Sequence, residues 1–139
     1  MLSLSPGTVA LLARIAFLIA AATDTLALVP MLLPHIGSRL FGGDSSRSTP
    51  EYRFAMNLAA SLMAGWTVLL FWAAVQPIER RDVLLIVVCP GIAGIVAASV
   101  AAARRGVIDA RRLLLLWVHL GVLSGYCLLV YALSLQVVS

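Results

Sequence analysis

The chain has 139 residues, 62% of them hydrophobic and 12% charged, with a mean hydropathy of +1.04 and a formal net charge of +4. A soluble domain carries about a quarter charged residues, and one this small has too little interior to hide such an apolar excess, so a water-soluble globule is excluded and lipid is the expected covering. All ten basic residues are Arg, and they fall in gaps between apolar runs, where the positive-inside effect puts them; no nucleic-acid partner is expected.

Four apolar runs are read at 8–33, 51–74, 82–103 and 111–136. Each reaches the roughly 20 residues that a helix needs to cross about 30 Å of hydrocarbon. None alternates with period 2, and only helices or closed barrels satisfy the backbone in lipid. The expected architecture is a single all-α domain, a four-transmembrane-helix bundle.

The first run lacks an early positive charge and continues past Ala20-Ala21-Ala22, so it is expected to be a retained helix rather than a cleaved signal. It admits two registers. One keeps Arg14 and Asp24 about two turns from opposite ends; the other puts Arg14 at the interface and Asp24 near mid-bilayer, with Pro30 kinking the last turns. Arg14 can snorkel outward, with Glu79 as a salt-bridge partner on its own side, whereas Asp24 is too short to reach the surface.

Residues 37–50 form the main loop, with a turn at Gly42-Gly43-Asp44, and Thr49-Pro50-Glu51 reads as a helix start. Gln76-Pro77 ends the second helix, and Glu79-Arg80-Arg81-Asp82 makes a tight charged turn. The last connection, 104–112, gathers arginines around Gly106 and Asp109. Arg39, Arg47, Arg53, Arg104, Arg105, Arg111 and Arg112 share one side, against Arg14, Arg80 and Arg81 on the other. That bias predicts both termini outside the cytoplasm.

Helices in lipid associate through small residues and interhelical hydrogen bonds. Ala13, Ala20, Ala21 and Ala27 lie within about 60° of Asp24 at 100° per residue, so Asp24 shares the face expected to meet other helices. Asn57, Ala60, Ser61 and Ala64 make a stripe on the second helix. Gly91, Gly94, Ala97, Ala98 and Ala101 make one on the third, with Pro90 as a kink. Gly121 and Gly125 form a GxxxG match on the fourth, and packing within the chain is the expected use of all of them.

An acid inside a membrane helix costs roughly 2.5–3.5 kcal/mol at the centre, so it is seldom left without a partner. Counted from the same side of the membrane, Asp24, Asn57 and His119 fall within about one turn of depth, with Tyr126 seven residues past His119 on the same face. These four residues are the candidate polar site. In one reading they clasp the helices, Asp24 accepting from Asn57 and from a ring nitrogen of His119. In another they form a proton- or substrate-linked site, since an Asp–His pair can exchange a proton. Metal or haem ligation by His35 and His119 lacks a third ligand at useful spacing, so no metal and no cofactor are expected. Trp66 is read as packing, and Trp72 and Trp117 as members of an aromatic belt. Cys89 and Cys127 are read as buried thiols. No nucleophile motif, phosphate loop or carboxylate pair is present, and no catalytic residue is assigned.

The stretch from Asn57 through Ser61, Gly65 and Trp66 to Trp72, followed by Pro77-Ile78-Glu79-Arg80-Arg81, resembles a pattern in small uncharacterised bacterial four-helix membrane proteins. That resemblance implies the bacterial inner membrane and carries no known activity. The acid in the first of four helices is also similar to that of small multidrug-resistance transporters, which use a glutamate there. Here the residue is Asp24, the chain is longer, and the further motif residues of that family are missing. The expected role is a structural or accessory membrane protein, alone as a homo-oligomer or with a membrane-complex partner. The alternative is a small proton-coupled carrier using Asp24.

Overall fold

The computed structural model describes residues 5–33, 35–36 and 49–138. Four helices carry them: α1 (Pro6–Leu32), α2 (Pro50–Val75), α3 (Asp82–Arg104) and α4 (Ala110–Val138). Each is long and apolar enough to cross a membrane, and no strand occurs among the described residues. The chain is an all-α, multi-pass membrane protein. The expected turn at Gly42-Gly43-Asp44, with Arg39 and Arg47 around it, lies outside the described residues.

The helix starts follow from local chemistry. Ser5 caps α1 by accepting from the Thr8 amide at 3.2 Å, and Pro6 takes the first position, where its missing N–H costs nothing. Thr49 does the same for α2, accepting from the Tyr52 amide at 3.3 Å ahead of Pro50. Asp109 accepts from the Arg111 amide at 2.9 Å as α4 begins.

The helix ends are as specific. Gly106, at φ 68°, ends α3 in the left-handed conformation that residues with a Cβ resist. Its amide bonds Ala103 O at 3.0 Å and the Val107 amide bonds Ala102 O at 3.0 Å, the paired bonds of a Schellman motif. Arg80 closes α2: its guanidinium donates to the Trp72 carbonyl and to Gln76 Oε1 and lies over the Trp72 ring, 3.6 Å from the centroid.

The two internal prolines act differently. α1 runs through Pro30 to Leu32, and the Leu33 amide still bonds Val29 O at 2.9 Å. In α3, Pro90 has no N–H to give its own helix, and the backbone widens into a π segment over Val87–Ile92. There the Ala93 amide reaches Val88 O, five residues back.

The helices pack in the spatial order α2, α1, α4, α3. α1 is central, and its apolar face (Ala13, Ala16, Phe17, Ala20 and Ala21) meets Leu70, Ala73 and Ala74 of α2 and Leu123, Cys127 and Val130 of α4. Leu84, Val87 and Ile92 of α3 complete this core. It occupies the half of the bundle nearest the chain termini. Towards the other end burial thins out, and between Ala93 and Arg104 no residue of α3 is buried.

Several expected packing stripes therefore point outward. On α2 only Ala60 of its stripe is buried, while Asn57, Ser61 and Ala64 are exposed. Gly121 and Gly125 are exposed, and a Cβ built on either would meet nothing within 4 Å. The GxxxG pair packs against none of the described residues, and the buried face of α4 carries Leu113, Leu120, Leu123 and Cys127 instead. Gly94, Ala97, Ala98 and Ala101 likewise face out.

Candidate functional site

The register of α1 against its neighbours is set by polar groups that reach backbone acceptors. Arg14 Nε donates to Ala74 O at 3.1 Å. Arg14 is exposed and makes no ion pair with Glu79 among the described residues; it places its charge at the C-terminal, electronegative end of α2. On the other flank the Tyr126 hydroxyl donates to Leu12 O at 3.1 Å.

Level with Asp24, the partner of His119 is Thr23: Thr23 Oγ1 and His119 Nε2 lie 3.2 Å apart. Thr23 spends its one hydroxyl proton on Ile19 O at 2.9 Å. Its oxygen is therefore the acceptor, and in the neutral ring the proton sits on Nε2, leaving Nδ1 with a free lone pair. Adjacent helical residues are turned about 100° apart. The side of α1 that meets α4 belongs to Thr23, and Asp24 is turned towards the core face that also carries Phe17 and Ala20.

Asp24 is half-buried and has no hydrogen bond or ion pair among the described residues. No side-chain nitrogen or oxygen sealed inside the described structure lacks a partner, so the Asp24 carboxylate keeps an opening to the outside.

Asn57 does not join the Asp24 level. With Arg14 opposite Ala74 in antiparallel helices, ten residues along α1 to Asp24 correspond to ten residues back along α2 to Ala64. Asn57 is two further turns away, about 10 Å at 1.5 Å per residue. It borders a small crevice between the last turn of α1 (Pro30, Met31 and Leu32) and the first turns of α2 (Tyr52, Arg53 and Met56). The expected single layer of Asp24, Asn57 and His119 is thus resolved into a Thr23–His119 bond, an Asp24 beside it without a partner among the described residues, and an Asn57 nearer the membrane surface.

His119 and Tyr126 do share a face. Both line a cleft of about 280 Å³ between α1 and α4, whose other walls are Ile15, Ile19, Val122 and Leu123. Its lining is apolar apart from the imidazole and the phenol. The sequence reading passed over Thr23, whose signal was present: a threonine one residue before the acid, at the depth of His119.

Other threonine and serine hydroxyls bond carbonyls of their own helices, as apolar surroundings favour. Thr25 bonds Ala21 O at 2.8 Å, Ser61 bonds Asn57 O at 3.0 Å and Thr67 bonds Met63 O at 2.9 Å. Trp117 ties α4 to α3, donating from Nε1 to Ser99 Oγ at 2.7 Å. Trp72 is the platform for Arg80. Cys127 is buried as expected, while Cys89 is exposed. His35 is exposed beyond α1, and no group of three or more His, Cys, Asp or Glu side chains able to hold a metal occurs among the described residues.

Comparison with protein-family models, curated proteins and solved structures found no match. The likeness read over residues 57–81 therefore gains no family from them, and the chemistry of the site stands on its own geometry. It combines a carboxylate with an outward opening, an imidazole held by one nitrogen, and an apolar cleft.

Proposed function

We propose that this chain is a non-enzymatic accessory or structural protein of a bacterial inner membrane, built to be covered by further membrane helices. One observation carries the reading: Gly94, Ala97, Ala98 and Ala101 of α3 and Gly121 and Gly125 of α4 face outward, with no buried residue anywhere in Ala93–Arg104. Lipid gives helices no hydrophobic reason to associate, and small residues let backbones approach. An outward row of small residues leaves room for the backbone of a neighbouring helix to approach closely. The arginine distribution supports both termini outside the cytoplasm, which reporter fusions to each end would read directly.

The test is purification in a mild detergent with mass measurement of the intact assembly. Gly94→Leu and Gly121→Leu are expected to strip partners while leaving the unfolding midpoint within error of the wild type. A chain that is alone in every mild detergent, and whose phenotype is unchanged by both substitutions, refutes the reading.

A second reading rests on Asp24, a carboxylate at membrane depth with an outward opening and no partner among the described residues. Intramembrane acids mark proton and ion paths, so a proton-coupled carrier is the alternative. Proteoliposomes with an internal pH dye would show proton uptake that Asp24→Asn abolishes. Absence of flux in the wild type removes this alternative.

A further inference from the structure

Asn57 is exposed, lies inside a membrane-spanning helix, and has no side-chain hydrogen bond among the described residues. It sits about 10 Å along α2 from Pro50, and α2 is about 39 Å long at 1.5 Å per residue. With about 30 Å of hydrocarbon centred on the helix, the Asn57 amide falls several Å inside the apolar layer. An unpaired amide there is costly. The hydroxyl of Ser61, one turn on, is already bonded to Asn57 O, so it offers Asn57 no donor.

The surroundings of Asn57 narrow the partner. The face of α2 that meets α1 carries Ala60, Thr67, Leu70 and Ala74, all buried. Asn57, Ser61, Ala64 and Val68 form an exposed row on another face, and a Cβ on Gly65 beside it would meet nothing within 4 Å. Copies of one chain inserted with the same topology are related by an axis along the membrane normal. Such an axis along this row brings each residue against itself at its own depth. Few polar side chains tolerate that: two carboxylates or two guanidiniums repel. A carboxamide is both donor and acceptor, so Asn57 is satisfied by Asn57 of a second copy, and the small residues below it allow close approach.

We infer that a second copy of this chain docks on the exposed row of α2, with the two Asn57 carboxamides hydrogen-bonded across a two-fold axis. The inference rests on reading the chain as a subunit of an assembly and names one contact of that assembly.

The test uses the full chain in liposomes, in a Cys89→Ser background that leaves the buried Cys127 in place. Ser61→Cys is expected to form a disulfide-linked dimer, while Leu115→Cys on α4 does not. In a dilution series read by energy transfer between labelled copies, Asn57→Leu is expected to weaken association about 3- to 20-fold, the range of membrane hydrogen bonds. Asn57→Gln, which keeps donor and acceptor, is expected to retain association better than Asn57→Leu.

A chain monomeric at all dilutions overturns the inference, as would occur if water in the crevice beside Arg53 satisfied the amide. So does a dimer indifferent to Asn57→Leu, or one linked through Leu115→Cys and not Ser61→Cys. A monomer that still carries a larger complex through Gly94 and Gly121 overturns this inference alone and leaves the accessory reading standing.

Discussion

The Thr23–His119 contact separates the geometry found here from the one that charge alone suggests. A double-mutant cycle with Thr23→Val and His119→Leu removes the bond while keeping approximate shape. The separation is 3.2 Å. His119 is exposed and Thr23 half-buried, so the lower part of the membrane range applies: about 0.6 kcal/mol of coupling, with about 1.7 kcal/mol as a ceiling. The valine leaves Ile19 O with its normal helical partner, so the single mutant adds little cost of its own. Asp24 makes no bond to His119 among the described residues, so the parallel cycle with Asp24→Asn and His119→Leu is expected to show weaker coupling than the Thr23 cycle. Reversible unfolding in mixed micelles, with an added denaturing detergent, measures both cycles. Coupling larger for Asp24–His119 than for Thr23–His119 would refute the rotational assignment of α1.

Other substitutions probe the packing. Phe17 is 0% exposed and Leu115 is 80% exposed. In a bilayer the unfolded helix keeps its side chains in lipid, so only the packing part of burial is lost. Phe17→Ala, deleting roughly 100 Å³ at about 24 cal/mol per Å³ of cavity, should cost about 2 kcal/mol, and Leu115→Ala close to nothing in the same unfolding assay. Gly106→Ala forces a Cβ into the left-handed region and should cost about 1 kcal/mol, readable as an earlier unfolding midpoint. Arg14→Met removes the bond to Ala74 O and the charge at the end of α2. As the side chain is largely exposed, a loss of about 0.5–1 kcal/mol is expected, smaller for Arg14→Lys.

The helices were legible because their causes are local. Hydrophobic length set the spans, and Thr49-Pro50 set the start of α2 within a residue of the one found. Rotation and register were not legible. They depend on Arg14 and Tyr126 reaching the backbone carbonyls of Ala74 and Leu12, and every residue offers the same carbonyl. Thr23 lost to Asp24 in the sequence reading because a carboxylate is the more conspicuous partner for an imidazole, whereas the structure turns on the 100° between neighbours. The small-residue stripes were found but turned inward. Lipid and protein are equally apolar neighbours, so composition cannot say which of them a Gly121 meets.

The wide turn at Val87–Ile92 has an effect beyond its six residues. A π segment holds one residue more than the α-helix it interrupts, so it acts on α3 as a built-in insertion and shifts the phase of everything after it by about 100°. The stripe that buries Leu84 and Val87 cannot continue along the same line into Gly94 and Ala97. A chain lacking Pro90 could close this turn into an ordinary helix and swing the last three turns of α3 round, exchanging the residues shown to the outside for others. One residue thus acts as an indexing step: it decides which surface of the third helix a neighbour in the membrane meets.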